Sequence, residues 1–212
     1  MLGIDEAGRG AVIGPLVIAG VMFEKKNLEK LEELNVRDSK LLSPVKRENL
    51  YREIIKIAKD WAVIKIPASE IDALRKRISL NLIELKKMAE LINAFKPRTV
   101  YLDCPQVSTE KFTAALKAHL KCSPHIVAEN FADRKYAIVS AASIVAKVER
   151  DREIEKIKRE VGVDFGVGYP HDERTVKFLE RLAPNYPDFV RKSWITSAEI
   201  KSRKSQTTLE NF

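Results

Sequence analysis

The sequence predicts an α/β fold, in which a mixed sheet of about five strands is flanked by helices and followed by a small helical C-terminal appendage. Five short apolar runs have the length and composition of strands; they cover residues 1–5, 16–23, 61–66, 99–103 and 125–129. Helical periodicity fills the intervals between the later runs, and this alternation is typical of a sheet with parallel strands. The sharpest change in composition lies near residue 162, where we place the end of the main domain.

The first two apolar runs are joined by a glycine-rich turn and therefore predict an antiparallel pair of strands. Residues that favour helix starts follow at Asn27, Ser43 and Ser79, each just before an apolar pattern with helical spacing. Pro44 strengthens the second of these starts, because proline is favoured in the first turn of a helix. We therefore expect helices to connect the strands from residue 27 onwards.

A long helix is predicted over residues 136–161, ending at Gly162. Its first half is rich in small apolar residues and should be buried, whereas its second half is densely charged and should extend into solvent. Another helix is expected from Glu173 to Leu182, before a basic segment and a polar tail. The chain thus divides into a main domain over residues 1–162, an appendage over 163–205 and a tail over 206–212.

Composition and charge indicate the class of protein and its location. A hydrophobic content of 45% in 212 residues supports a packed globular protein. The net charge of +8 suggests a polyanionic partner, although a solvated basic surface is an alternative explanation. We find neither an apolar run of about 18 residues nor a secretory signal pattern, so we expect a cytoplasmic protein that binds no membrane. Cys104 and Cys122 have no metal-ligand spacing and are expected to be reduced thiols.

Four acidic residues stand at the ends of predicted elements: Asp5, Glu6, Asp103 and Asp133. Ligands collect at the carboxyl ends of parallel strands, so Asp5 and Asp103 would lie side by side if the first and fourth strands are neighbours. Carboxylates gathered in one cleft suit two divalent ions about 4 Å apart, an arrangement that favours phosphodiester cleavage. Side chains alternate along a strand, so Glu6 reaches the same ions only where the strand ends, or through its backbone carbonyl.

Each acid has an ordinary structural explanation when it is considered alone. Asp133 could cap the helix that follows it, and Asp103 could be a turn residue after its strand. For any single acid this structural explanation is the more common one. The order and setting of all four together favour a metal site.

The acids also lie within longer motifs. These are Gly-Ile-Asp-Glu-Ala-Gly-Arg-Gly at residues 3–10, Asp-Ser-Lys at 38–40, Leu-Asp at 102–103, Ala-Asp at 132–133 with Lys-Tyr at 135–136, Ala-Ala-Ser-Ile-Val-Ala-Lys at 141–147 with Arg-Asp at 150–151, and Gly-Tyr-Pro at 168–170. With these motifs the chain resembles the ribonuclease HII family, in its archaeal form, over nearly its whole length.

The resemblance implies a ribonuclease H-like fold for the main domain. It also implies cleavage of the RNA strand of RNA/DNA hybrids, and cleavage 5′ of ribonucleotides embedded in duplex DNA, leaving 3′-hydroxyl and 5′-phosphate ends. By motif match the four acids hold two Mg2+ or Mn2+ ions and act as the catalytic residues. The implied roles are primer removal and ribonucleotide excision repair, and the appendage is implied to bind substrate.

Further substrate contacts follow from the same motif match. Gly8, Arg9 and Gly10 resemble the loop that reads the ribose 2′-hydroxyl through its backbone, and Tyr169 resembles a residue that stacks on the neighbouring deoxyribose. Lys40 is matched to a phosphate contact. Without the family match, Lys40 is a solvated loop lysine and Tyr169 an ordinary packed tyrosine. The chain departs from the family at Phe131, where a basic residue is common.

The tail carries Gln206, Leu209 and Phe212, whose spacing resembles the sliding-clamp-binding peptide, known in archaea as a PCNA-binding motif. A disordered polar tail is the alternative. The basic stretch before it could grip a duplex backbone, although an ordinary amphipathic helix would look similar; it contains Arg191, Lys192, Trp194, Lys201, Arg203 and Lys204. We expect the protein to be a monomer.

Two other functions stay open at this point. The first is a nuclease with the same fold and metals that acts on DNA structures alone. The second is a protein without catalysis that binds hybrids and associates with a clamp. The four acids argue against the second function, because binding alone does not need them.

Overall fold

The computed structural model describes residues 1–36 and 43–209. Five strands form one sheet: β1 (Leu2–Ala7), β2 (Leu16–Met22), β3 (Asp60–Ile66), β4 (Thr99–Asp103) and β5 (His125–Glu129). The α-helices of the described residues are α1 (Leu28–Glu33), α2 (Pro44–Ile57), α3 (Ala68–Arg75), α4 (Leu80–Phe95), α5 (Thr109–Lys117), α6 (Ala132–Lys135), α7 (Ala137–Val161), α8 (Glu173–Leu182) and α9 (Ile195–Leu209). None of them is both long enough and apolar enough to cross a membrane.

The strand order β3-β2-β1-β4-β5 confirms the predicted mixed sheet. β1 pairs with β2 in the antiparallel direction, and β1, β4 and β5 run parallel to one another. The first and fourth strands are therefore neighbours, with Ile4 aligned with Leu102. As a result, the carboxyl ends of three strands lie along one edge of the sheet.

Two of the predicted helix starts show how local chemistry sets the boundaries. Ser43 accepts a hydrogen bond from the Lys46 backbone N–H at 3.3 Å, and Pro44 occupies the first turn, as expected. Asn27 precedes α1 but does not cap it. Its side-chain amide instead donates to the Ile57 carbonyl at 2.9 Å, so it connects two segments that are distant in sequence.

Two compact units are formed by the chain. The first contains Met1–Ala7, Val17–Ile64 and Leu80–Glu149, and the second contains Gly8–Leu16, Lys65–Ser79 and Arg150–Phe212. In the first, the small residues in the first half of α7 pack into the hydrophobic core, as predicted. The domain limits predicted at residues 162 and 205 stay a prediction.

The second unit has its own hydrophobic core, which corrects one expectation. Ile154 and Ile157, in the second half of α7, are buried there with Phe165 and Leu179. The expectation that this half of α7 extends into solvent is therefore wrong. Two isoleucines three residues apart form an apolar stripe, and the charged residues between them face away from it.

Asp172 stabilises the turn before α8 in the second unit. Its carboxylate accepts hydrogen bonds from the backbone N–H groups of Val167 at 2.9 Å and Arg174 at 3.0 Å, so it is the N-cap of α8. The turn also requires Gly166, which has a φ of 82° and whose Cβ, if present, would clash with the carboxylate. These hydrogen bonds, the Val167 N–H above all, lower the pKa of Asp172 to about 2.

Replacing Asp172 with Asn should destabilise the protein by about 1 kcal/mol at neutral pH, because the two N–H groups bind different carboxylate oxygens and an amide has only one acceptor oxygen. The pKa of Asp172 is lowered in the folded state, so its contribution is present above about pH 4 and is lost as the pH falls toward 2. Urea unfolding of both proteins at several pH values measures this difference. A difference that does not shrink in acid would contradict the assignment, and Asp188→Asn, at an exposed position, is the control.

Candidate active site

Asp5 and Asp103 lie side by side on β1 and β4: Asp103 is the last residue of β4, whereas β1 continues for two residues beyond Asp5 and is longer than the run 1–5 predicted from the sequence. Each directly follows one member of the aligned pair Ile4 and Leu102. Only 5% of Asp5 is exposed. Burial, together with the negative charge of Asp103, raises the pKa of Asp5 to about 7, although a hydrogen bond from Ser143 acts in the opposite direction. The fold thus holds two carboxylates together in a place where their charge is costly.

Asp133 is the second residue of α6, and the start of this helix is hydrogen-bonded to Asp103. Asp133 is 3% exposed, and the preceding residue, Ala132, donates its backbone N–H to the Asp103 carboxylate at 2.9 Å. The residue at the N-cap of α6 is Phe131, so Asp133 stands inside the helix and does not cap it. The alternative drawn from the sequence, that Asp133 caps the long helix that follows, concerns α7 and stays open.

Glu6 follows Asp5 but lies within β1, which continues to Ala7. Alternation along the strand directs its side chain to the other face of the sheet from Asp5. The Glu6 backbone N–H donates to the Asp5 carboxylate at 2.8 Å and helps to fix that side chain. Glu6 directly follows Asp5 in the chain. As predicted from the sequence, its backbone carbonyl is the group through which it would reach an ion bound by Asp5 and Asp103.

The donor set fits a divalent cation. Hard ions such as Mg2+ and Mn2+ prefer carboxylate oxygens, and a cation offsets both the burial and the repulsion from Asp103 that raise the pKa of Asp5. Within residues 1–36 and 43–209, no three acidic, histidine or cysteine side chains already have the spacing to surround one ion. The acids are therefore of the chemical type that such ions prefer, but in the described part of the chain their side chains are not spaced to surround an ion.

Two residues of α7 support the acids, and neither is among the metal ligands predicted from the sequence. Ser143, 1% exposed, hydrogen-bonds to Asp5, and the positive charge of Lys147 lowers the pKa of Asp5. In the sequence, Ser143 stands in a run of small residues that is typical of close packing. Their spacing of four residues puts both on one helix face, and this spacing was the signal available in the sequence.

In the second unit, the Arg191 side chain hydrogen-bonds to the backbone of the Gly-Arg-Gly loop (residues 8–10). The Arg191 guanidinium donates to the carbonyls of Gly8 at 2.7 Å, Arg9 at 2.9 Å and Gly14 at 3.2 Å. Gly8 has a φ of 86°, and a Cβ there would lie 2.6 Å from the Pro15 carbonyl oxygen, so only glycine fits. The backbone of this loop is therefore fixed by its own turn and by Arg191.

Arg191 is fully buried, so the prediction that the whole basic stretch grips a duplex is wrong for this residue. Burial and, to a smaller extent, the nearby charge of Arg150 lower the pKa of Arg191 to about 9. The Trp194 ring lies 4.7 Å from the Arg191 guanidinium and 4.6 Å from that of Arg75. Lys192, Lys201, Arg203 and Lys204 are exposed, and their contact with a duplex stays a prediction.

Tyr169 lies against the Gly-Arg-Gly loop. A Cβ on Gly10 would be 4.0 Å from a carbon of its ring. The Arg150 guanidinium stands 4.6 Å from the centre of the same ring, and the His171 ring stacks on it at 5.4 Å. The structure thus brings together two features that the sequence separates by more than 150 residues.

The remaining predicted residues are not described in full. Lys40 and Phe212 lie outside the described residues. Gln206 and Leu209 fall within α9, but their side chains are also outside the described part. Their proposed contacts stay predictions.

Comparison with known proteins places the chain among relatives of one kind. The family model described as ribonuclease HII matches residues 2–197. The ribonuclease HII of Pyrococcus horikoshii is 45% identical over 99% of this chain and 97% of its own length. That of Methanosphaera stadtmanae is 46% identical over 94% of each chain.

Solved structures agree with this result. A crystal structure of ribonuclease H2 from Pyrococcus horikoshii has a TM-score of 0.90 and 43% identity, covering 97% of this chain and 98% of that one. The ribonuclease HII in a complex with PCNA from Archaeoglobus fulgidus has a TM-score of 0.87 and 42% identity, covering 94% and 96%. A ribonuclease HIII solved with Mn2+, at 18% identity and a TM-score of 0.80, shares the fold.

Proposed function

The chain belongs to the ribonuclease HII family and is an endoribonuclease of RNA/DNA hybrids, and we propose that Asp5, Glu6, Asp103 and Asp133 are its catalytic acids. The observation that carries this proposal is the buried Asp5 carboxylate beside Asp103, because burial and then the charge of Asp103 raise its pKa and a cation would offset both. The position of Asp133, one residue after the N–H that binds Asp103, supports it.

The four acids would hold two Mg2+ or Mn2+ ions. Such ions, when bound, make water a stronger nucleophile and stabilise the charge that develops on the phosphate and the leaving oxygen. The chain itself supplies the positioning of the acids. Ser143 and the Glu6 N–H orient the Asp5 carboxylate, and the Ala132 N–H orients that of Asp103.

The Gly-Arg-Gly loop and Tyr169 are proposed to recognise the RNA-DNA junction. A fixed backbone offers N–H and carbonyl groups that can pair with a ribose 2′-hydroxyl, which is both donor and acceptor. Tyr169, held against the loop by Arg150, offers a ring face for the adjacent deoxyribose. Lys40 is proposed as a phosphate contact on the family match alone.

This recognition leads us to propose cleavage 5′ of single ribonucleotides embedded in duplex DNA, with 3′-hydroxyl and 5′-phosphate products. Such an activity serves primer removal and ribonucleotide excision repair. Neither a DNA-only nuclease nor a binding protein without catalysis is favoured by any feature of the two units.

The proposed function is tested with three end-labelled duplexes and Mg2+ or Mn2+. One duplex is an RNA/DNA hybrid, one is DNA with a single ribonucleotide, and one is DNA alone. We expect cleavage of the first two, with the cut 5′ of the ribonucleotide in the second, and none of the third. Equal cutting of the all-DNA duplex would support the nuclease acting on DNA structures, and absence of cutting in all three would refute catalysis.

We also propose that the tail binds a sliding clamp through Gln206, Leu209 and Phe212. A ribonuclease HII 42% identical to this chain has been solved in complex with PCNA, which supports the idea. Deleting residues 206–212 should abolish association with the organism's own clamp in a surface-binding assay, since one helical turn places the apolar pair on the same side.

The matched control for this deletion is Lys204→Ala, which changes a basic residue just before the tail and should leave clamp binding intact. Cleavage of a short hybrid without the clamp should be unchanged by the deletion. Clamp binding that persists without residues 206–212 would refute the assignment. The monomeric state and the cytoplasmic location stay predictions.

A further inference from the structure

Phe131 is an exposed aromatic residue with an unusual backbone. Its side chain is 62% exposed, whereas most large apolar residues of the first unit are buried. Its φ of 58° lies in the left-handed region, which residues other than glycine, asparagine and aspartate rarely adopt. Such a conformation is strained and persists only where its surroundings impose it.

The surroundings of Phe131 tie it to the candidate active site. The side-chain amide of Asn130 donates to the carbonyls of Cys104 at 2.9 Å and Gln106 at 2.7 Å, in the loop that follows β4. On the other side, the Ala132 N–H donates to the Asp103 carboxylate. The Phe131 backbone is thus held between two anchors that both involve the segment around Asp103.

A basic side chain accompanies the exposed ring. The Arg134 guanidinium lies 5.1 Å from the centre of the Phe131 ring, in the next turn of the chain. Lys135, by contrast, is engaged with the Glu129 carboxylate at 2.8 Å. An apolar ring face with a cation beside it matches the two surfaces of a nucleotide, its sugar and its phosphate.

We propose that Phe131 is a substrate-contact residue whose ring packs on the sugar of a nucleotide beside the scissile phosphate, with Arg134 at the adjoining phosphate. Bases inside a duplex are already stacked, whereas sugar faces stay accessible, so the sugar is the surface that a rigidly held ring can reach. The proposal rests on the proposed function, because it assumes that Asp103 and Asp133 stand at the scissile phosphate.

A basic residue and an aromatic residue at position 131 would contact a nucleotide in different ways. A basic residue at position 131 would bind phosphate, and salt would weaken that contact. An aromatic ring makes a contact that depends little on salt. The contact proposed for Phe131 is therefore apolar and should depend little on salt.

The experiment compares Phe131→Asn, Phe131→Tyr and the unchanged protein in steady-state cleavage of a duplex with one ribonucleotide. Asn tolerates the left-handed backbone, so this variant removes the ring without straining the fold. We expect Phe131→Asn to raise KM about three- to ten-fold, with kcat changed less than about two-fold, and Phe131→Tyr to restore KM. Val45→Ser, at a 71% exposed apolar position on α2, is the matched control and should leave KM unchanged.

Salt dependence provides a second measurement. Phe131→Lys should bind the duplex well at low salt but lose affinity more steeply, with the slope of log affinity against log salt about 0.9 larger in magnitude. An unchanged KM in Phe131→Asn, or no rescue by Phe131→Tyr, would overturn the proposal even though the enzyme cuts normally. Failure of the proposed function would look different, since the unchanged protein would then show no ribonucleotide-dependent cleavage.

Discussion

Asp103→Asn should lower kcat for hybrid cleavage by about 10^3-fold or more, while the protein stays folded. Asn has the size of Asp and can still accept the hydrogen bond from the Ala132 N–H, but it removes one of the negative charges that a divalent ion requires. The measurements are single-turnover cleavage with Mg2+, urea unfolding, and Mn2+ binding by calorimetry.

Stability should be unchanged or slightly higher in Asp103→Asn, because the charge of Asp103 is one of the causes that raise the pKa of Asp5. Calorimetry should show weaker Mn2+ binding, which links the loss of activity to the ions. Turnover within ten-fold of the unchanged protein would refute the catalytic role of Asp103.

Glu129→Gln is the matched control for this prediction. Glu129 is aligned with Asp103 across β4 and β5 and stands at the same edge of the sheet. Its carboxylate is already engaged by Lys135 at 2.8 Å and by the Tyr136 hydroxyl at 2.6 Å, which lower its pKa. We expect Glu129→Gln to keep kcat within about three-fold, because this carboxylate is already bound by Lys135 and Tyr136. A loss as large as that of Asp103→Asn would mean that the edge tolerates no change of charge.

Short-range patterns explain why so much of this site was predictable. Apolar runs set the strands, and acids at their ends mark the carboxyl edge of a sheet. The antiparallel start of the sheet follows from the glycine-rich turn between β1 and β2. Once β1 and β4 are neighbours, Asp5 and Asp103 must lie close together, so the geometry of the pair follows from two local patterns and one topological rule.

Contacts between distant segments were not predictable in this way. Arg191 stands in a basic stretch whose charge suggests a surface role, yet it binds carbonyls 182 and 183 residues earlier in the chain. Similarly, Ile154 and Ile157 are surrounded by charged residues, and only the fold of the second unit shows what buries them. A local pattern gives the chemistry of a side chain, but its partners depend on which segments the fold brings together.

Replacing Arg191 should also have a large effect, on the free energy of unfolding. Arg191→Met should destabilise the protein by about 3–5 kcal/mol, because it removes the guanidinium donor from the carbonyls of Gly14 and Arg9 and one of the two donors of the buried Gly8 carbonyl. Arg191→Lys keeps the charge but lacks the planar fork that reaches three acceptors, so a loss of about 2 kcal/mol is expected. Urea unfolding measures both values, and Lys192→Met, at the exposed neighbouring position, is the control with an effect below about 0.5 kcal/mol.

The folded Arg191→Lys variant also separates anchoring of the loop from general stability. If the Gly-Arg-Gly loop reads the 2′-hydroxyl through a fixed backbone, loosening its anchor should reduce the preference for a ribonucleotide-containing duplex over DNA, at temperatures where the protein is fully folded. The preference is measured as the ratio of kcat/KM for the two duplexes. Destabilisation with an unchanged ratio would mean that Arg191 supports only the fold, whereas a ratio that falls without further unfolding would show that recognition depends on the rigidity of the loop.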